Sequence, residues 1–389
     1  MKTSEQSLSN VVTIERKNFD ALFASLIKRG FQIVGPTQRD GAIVYDLLES
    51  SNDLPEGWTE EQNAGTMRLK KRNDKALFGF NSTVQSWKKF IHPPSLRLWQ
   101  TKLSSGKPTI IPEESNKQKL AFLGVRACDL AAIGILDKVF TDSPFTDTGY
   151  KIRRSDILII GVNCTQAGGT CFCASMNTGP AINSGYDIVM TEVIEKNRHY
   201  FIVDKGSKVG EEIIKELPKA EANIYEIDGA EELVNKASSA MGRKVDITNI
   251  KELLIRNSEN HRWQQTAQRC LTCANCTMVC PTCFCTTIED VTDLTGKEAN
   301  RTQKWDSCFT MDFSYIHGGS IRPSVYSRYR QWLTHKFAAW HDQFGTSGCV
   351  GCGRCITWCP VGIDVTEEIT AIRMSDKNNP SITPSKENK

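Results

Sequence analysis

Residues 270–285 read CLTCANCTMVCPTCFC, and residues 349–360 read CVGCGRCITWCP. Each stretch contains the run C-x2-C-x2-C-x3-C-P, closed by Pro281 or Pro360. Cysteines at this spacing wrap a tight loop around one side of a metal–sulfur core and offer it three thiolates. The fourth, after a longer step, points away and in paired motifs reaches the second core. The proline then ends the loop, because it fixes its own φ and has no N–H to donate. The spacing predicts two [4Fe–4S] clusters. In the paired arrangement Cys270, Cys273 and Cys276 take Cys359 as their fourth ligand, and Cys349, Cys352 and Cys355 take Cys280.

The chain has 389 residues, 15 of them cysteine, and a net charge of +3. A charge this small gives no electrostatic reason to bind nucleic acid or an anionic membrane. The N-terminus lacks the basic, apolar and small-residue succession of a signal peptide. No run of about eighteen apolar residues occurs, so a cytoplasmic chain without a membrane span is expected. Disulfide frameworks belong to small exported domains. Here the odd cysteine count and tight clustering favour metal ligation instead. Structural zinc would use two separated pairs, frequently with His, and none of the six histidines sits in such a pair.

Eleven of the cysteines follow residue 265. This divides the chain into an N-terminal α/β domain over 1–245, a helical ferredoxin-like dicluster domain over 246–374, and a polar, proline-broken tail over 375–389 that should be disordered. The first part reads as mixed α/β. AFLGV (121–125), ILIIGV (157–162) and YFIV (200–203) are apolar runs of strand length. After the first run, Asp129 is placed to cap the helix DLAAIGILDKVF, whose Leu130, Ile133, Leu136 and Val139 recur on one face. Cys128 sits at that strand-to-helix turn and Cys164 ends the next strand. Cys171 and Cys173 follow in the loop GGTCFCASMNTGP. Thiols at neighbouring strand ends converge where open α/β sheets gather ligands, and a helix N-terminus favours an anionic core. Two readings follow: a third cluster held by Cys128, Cys164, Cys171 and Cys173, or four buried structural thiols.

Cys283, Cys285 and Cys308 exceed the needs of two cubes. They are either small apolar residues packed beside a cluster, or ligands or redox thiols. IKELLIRN (250–257) opens a helix, and the insertion over 286–348 holds SRYRQWLTHKFAAWHDQFG, an amphipathic helix rich in aromatics. RLKKRNDK (68–75) reads as a solvated hairpin, and SWKKFIHPP (86–94) as a turn or a docking loop. No G-x-G-x-x-G opens a helix after a strand and no P-loop occurs, so no nucleotide site is visible.

GVRACDLAAIGILDKVF, NCTQAGGTCFCASMNTGP, CLTCANCTMVCPTCFC, KWDSC, GGSIRP and CVGCGRCITWCP occur in this order. The combination, across about residues 60–365, resembles the iron–sulfur beta subunit of cytoplasmic sulfhydrogenases (hydrogenase/sulfur reductase). It is similar also to the A subunit of anaerobic sulfite reductases. One departure is Ser320, where the family often shows His. The resemblance implies an electron relay inside an oxidoreductase complex. One partner would be a flavoprotein subunit that oxidises or reduces NAD(P)H. The other would be catalytic: a nickel–iron hydrogenase module in one branch, a sirohaem sulfite reductase in the other. The eight ferredoxin-type ligands carry over, and Cys128, Cys164, Cys171, Cys173, Cys283, Cys285 and Cys308 also match family positions, which favours a third cluster. On this reading the chain is not catalytic alone. The competing expectation is thiol chemistry, in which the cysteines of PTCFC or TCFC attack a disulfide or persulfide beside a cluster. A zinc-stabilised scaffold, colourless and redox-silent, is the non-enzymatic alternative.

Overall fold

The apolar runs become the strands Leu120–Val125, Ile157–Val162 and Arg198–Lys205 of an eight-stranded sheet. The computed structural model describes residues 11–112, 118–142, 144–195 and 197–376, so all but the first two residues of the tail 375–389 lie outside it. Every residue of the first two strands is buried. That is why they are apolar throughout rather than alternating. The sheet order is 220–221, 12–15, 198–205, 188–195, 157–162, 120–125, 32–39, 42–48. The strands 188–195, 157–162, 120–125 and 32–39 run parallel, and antiparallel partners flank them. Leu120 pairs with Ile157 and Val125 with Gly161, so the carboxyl ends of these neighbours lie side by side. Apolar clusters cover the sheet, one with Phe19, Leu26, Leu123 and Phe201, the other with Trp87, Phe122, Ile133 and Tyr150.

The helix after Leu120–Val125 spans Ala127–Phe140, and its N-cap is Arg126. Asp129 is therefore not the cap. It lies inside the first turn, buried, with its carboxylate committed to an arginine far along the chain.

The cysteine-rich half packs short helices around Trp263, Tyr329, Trp332, Leu333, Phe337 and Ile369. Cys270, Cys276, Cys308, Cys349, Cys355 and Cys359 pack against that core. The expected aromatic helix forms in three pieces: α over Val325–Thr334, a π turn over His335–Ala339, then α over Trp340–Phe344. Such π turns frequently sit at functional sites, and here the turn carries a buried lysine, Lys336. The region is not helical throughout. Thr286–Thr292 and Glu298–Trp305 form a hairpin, which joins Ser95–Ser104 and Lys107–Pro112 in a four-stranded antiparallel sheet. The two halves of the chain thus share a sheet across residue 245. SWKKFIHPP is neither an exposed turn nor an open docking loop: Lys88–Ile91 makes one helical turn, and Lys88 and His92 are buried.

Candidate metal centres

The helix Arg262–Arg269 ends at Cys270, whose N–H donates to the Thr266 carbonyl at 3.1 Å. Left-handed backbone at Thr272 and Ala274 then coils the loop into the single turn Asn275–Met278, which carries Cys276. Cys270, Cys273, Cys276 and Cys359 line one cavity, closed by Phe309, Tyr329, Trp332 and Ile363. The Cys270 thiol accepts from the Thr272 N–H at 3.4 Å, and Cys359 accepts from the Ile363 N–H at 3.3 Å. The Tyr329 hydroxyl and the Trp332 indole N–H are buried without a partner among the described residues. Orphaned donors beside a thiol-lined cavity fit a group rich in sulfur acceptors.

The second motif brings Cys349, Cys352 and Cys355 together, and the charge of Cys280 acts on all three. Cys349 accepts from the Gly351 N–H at 3.4 Å. The Lys336 ammonium donates to Cys280 at 3.3 Å, to the Thr282 hydroxyl at 3.1 Å and to the Gly348 carbonyl at 3.1 Å. A hydrogen bond from Cys283, together with that ammonium, holds Cys280 well below the usual thiol range. Burial pushes Cys352 and Cys355 up, and Cys349 to about 12.

The strand ends also collect the N-terminal thiols. Cys171 feels the charges of Cys173 and Cys164; Cys173 feels Cys164 and Cys352; Cys128 feels Cys173 and Cys352. Burial pushes Cys128, Cys164 and Cys171 up, and Cys173 to about 12. Gly351 and Gly353 explain how this loop meets the second motif. Both are left-handed, with φ of +64° and +74°, and a Cβ on Gly351 would stand 2.6 Å from the Cys173 backbone. The Phe172 N–H donates to the Gly351 carbonyl at 2.8 Å. The Cys171 thiol lies 4.0 Å from the Cys352 carbonyl oxygen.

The three sets form a row. Cys355 lines the first cavity, and Cys352 borders the N-terminal set. A buried ion pair locks the latter junction. Arg354, between two cysteines of the second motif, binds Asp129 with two bonds of 2.8 and 2.9 Å. Its Nε donates to the Thr83 carbonyl at 2.8 Å, and Tyr45 donates to Asp129 at 3.4 Å. Sequence reading missed Arg354, Asp129, Lys336 and Lys88 as site residues. The available signal was charge placed inside apolar or cysteine-rich runs, such as GRC and HKFAAW.

Among the described residues, no three His, Cys, Asp or Glu side chains close to the spacing of ligands around a single ion. No helix among them is long and apolar enough to cross a membrane. Residues 269–363 match the 4Fe-4S dicluster domain family. The chain is 30% identical over 305 residues to the sulfhydrogenase 2 subunit beta of Pyrococcus furiosus, an alignment covering 77% of this chain and 86% of that protein. No solved structure matches.

Proposed function

We propose that this chain, which belongs to the sulfhydrogenase beta-subunit family and is an iron–sulfur electron-transfer subunit, passes electrons between a flavoprotein that handles NAD(P)H and the catalytic subunit of a hydrogenase complex. The observation that carries the reading is the row of three thiol sets, each bordering the next. We assign one [4Fe–4S] cluster to Cys270, Cys273, Cys276 and Cys359. A second goes to Cys349, Cys352, Cys355 and Cys280, and a third to Cys128, Cys164, Cys171 and Cys173. A cubane with four cysteine ligands supplies one-electron storage and no open coordination position.

The chain's own residues do the rest. Tyr329 and Trp332 offer donors to the first cavity, and Lys336 sets positive charge against Cys280. The aromatic and aliphatic lining of that cavity limits the access of water. Cys171 and Cys173 are buried, and exchange with an external disulfide needs an accessible thiol, so they suit ligation better than disulfide exchange.

The test uses whole chain purified without oxygen. Cys270→Ala, Cys349→Ala and the double variant Cys171→Ala/Cys173→Ala should each lower iron and acid-labile sulfide by about four per chain. Unchanged iron would overturn the assignment for that set. NADPH with the flavoprotein subunit should reduce the wild-type EPR signals, and the hydrogenase subunit should reoxidise them with release of hydrogen. Failure of both transfers in a loaded chain would overturn the relay.

A further inference from the structure

In SWKKFIHPP, Lys88 is buried, and its neighbour Lys89 lines a cleft of 560 Å³. Leu120 lines the cleft too and opens the strand Leu120–Val125. The cleft therefore lies at the end of that strand away from Cys128. Phe90, Leu98 and Leu120 give it an apolar wall, and three cations, Lys89, Arg97 and Arg153, line it against one carboxylate, Asp147. Small-molecule sites are commonly clefts of about 300–1,000 Å³ with apolar walls and a few convergent polar groups.

Two of these cations meet only neutral acceptors. The Lys89 ammonium donates to the Tyr45 carbonyl and to the Gln85 amide oxygen, both at 2.7 Å. Arg153 donates through Nε to the Ile91 carbonyl at 2.9 Å, and neither of its Nη groups has an acceptor among the described residues. No carboxylate among them comes within ion-pair distance of Lys89 or Arg153; Asp46 acts on Lys89, and Asp147 on Arg153, only from further off. Burial accordingly holds both groups below their ordinary pKa. A partly desolvated cation gains most from an anion that enters the same cleft.

We propose that this cleft binds a small organic phosphate, with the phosphate held between Lys89 and Arg153 and the apolar body against Phe90, Leu98 and Leu120. A phosphate monoester carries close to two negative charges at neutral pH and so answers both cations. The planar guanidinium of Arg153 grips it with two bonds, and Lys89 adds a point charge. The site stands apart from the thiol row and owes nothing to metal.

Equilibrium dialysis of the whole chain, purified without oxygen, tests it with AMP and adenosine as probes. AMP should bind, and adenosine at least about tenfold more weakly, since charge-assisted hydrogen bonds are worth that much. Lys89→Gln and Arg153→Gln should each weaken AMP by at least about tenfold, with iron per chain unchanged as the sign of an intact fold. Asp147 caps its helix by accepting from the Tyr150 N–H at 2.8 Å. Asp147→Asn keeps a cap but removes the opposing charge, so it should tighten AMP. No binding of AMP at millimolar concentration overturns the proposal. So does adenosine bound as tightly as AMP, or an AMP affinity that neither Lys89→Gln nor Arg153→Gln moves. If those two variants lose iron, Asp147→Asn decides, and AMP bound no tighter than by wild type overturns the site.

Discussion

Replacing Arg354 by Met tests the junction between the sheet and the second cysteine motif. Both partners of the Arg354–Asp129 pair have side chains essentially out of solvent, at 0% and 1% exposed. Their two bonds of 2.8 and 2.9 Å supply most of what the carboxylate receives, since the Tyr45 hydroxyl stands at 3.4 Å. Breaking a buried pair from one side costs about 3–5 kcal/mol, because an uncompensated charge stays behind. The Thr83 carbonyl also loses its donor, which adds about 1–3 kcal/mol if water does not replace it. The double variant Arg354→Met/Asp129→Leu removes both charges, and such replacements range from neutral to stabilising by about 1–4 kcal/mol. The expectation is therefore a strongly coupled cycle, with Arg354→Met and Asp129→Leu each severe and the double variant close to wild type. The assay is anaerobic urea unfolding followed by far-UV circular dichroism, with cluster absorbance as a second probe. A cost below about 1 kcal/mol for Arg354→Met, or a double variant as damaged as the sum of the singles, would refute the reasoning.

Lys336→Met removes the ammonium that touches Cys280. One cluster's midpoint potential should fall on the order of 100 mV, taking an effective dielectric near 20 and about 59 mV per tenfold for one electron; EPR-monitored redox titration reads it, and a potential that does not move contradicts the placement. Gly351→Ala puts a Cβ 2.6 Å from the Cys173 backbone at a φ of +64°. It should cost at least about 2 kcal/mol, from left-handed strain and the displaced loop, seen as a lowered unfolding midpoint with partial loss of iron. Burial, then the nearby Lys88 charge, pushes His92 down to about 3, from an ordinary value near 6.5. The folded state thus resists a proton that the unfolded chain accepts, so this stability is present above pH 6.5 and drains as pH falls towards 3, by about 1.4 kcal/mol per unit. His92→Phe should flatten the difference in unfolding midpoint between pH 7 and pH 5 relative to wild type, and an unchanged slope would count against it.

The ligand pattern was legible because chelation by a short loop is a local property. Spacing alone groups Cys270 with Cys273 and Cys276, and Cys349 with Cys352 and Cys355. The continuous apolar runs announced strands for the same reason, since a strand covered on both faces has no polar positions to show. The cap assigned to Asp129 failed because a residue two places inside a helix start looks the same in sequence. Its true partner is 225 residues away. SWKKFIHPP looked like surface because lysine is rarely buried, and nothing near it in sequence reveals the Cys283 carbonyl and the Trp305 ring that Lys88 meets.

Composition and spacing by themselves pointed to iron–sulfur chemistry, through two C-x2-C-x2-C-x3-C-P motifs that follow a mixed α/β half. Tertiary structure alone decided that Arg354 and Asp129 join the two halves, and that the buried Lys336 meets the Cys280 thiol and the buried Lys88 the Cys283 carbonyl. The physical reason is that a thiol's place in a ligand loop depends on its near neighbours along the chain. The energy of a buried charge depends on which distant groups the shared sheet and the paired strand ends bring against it.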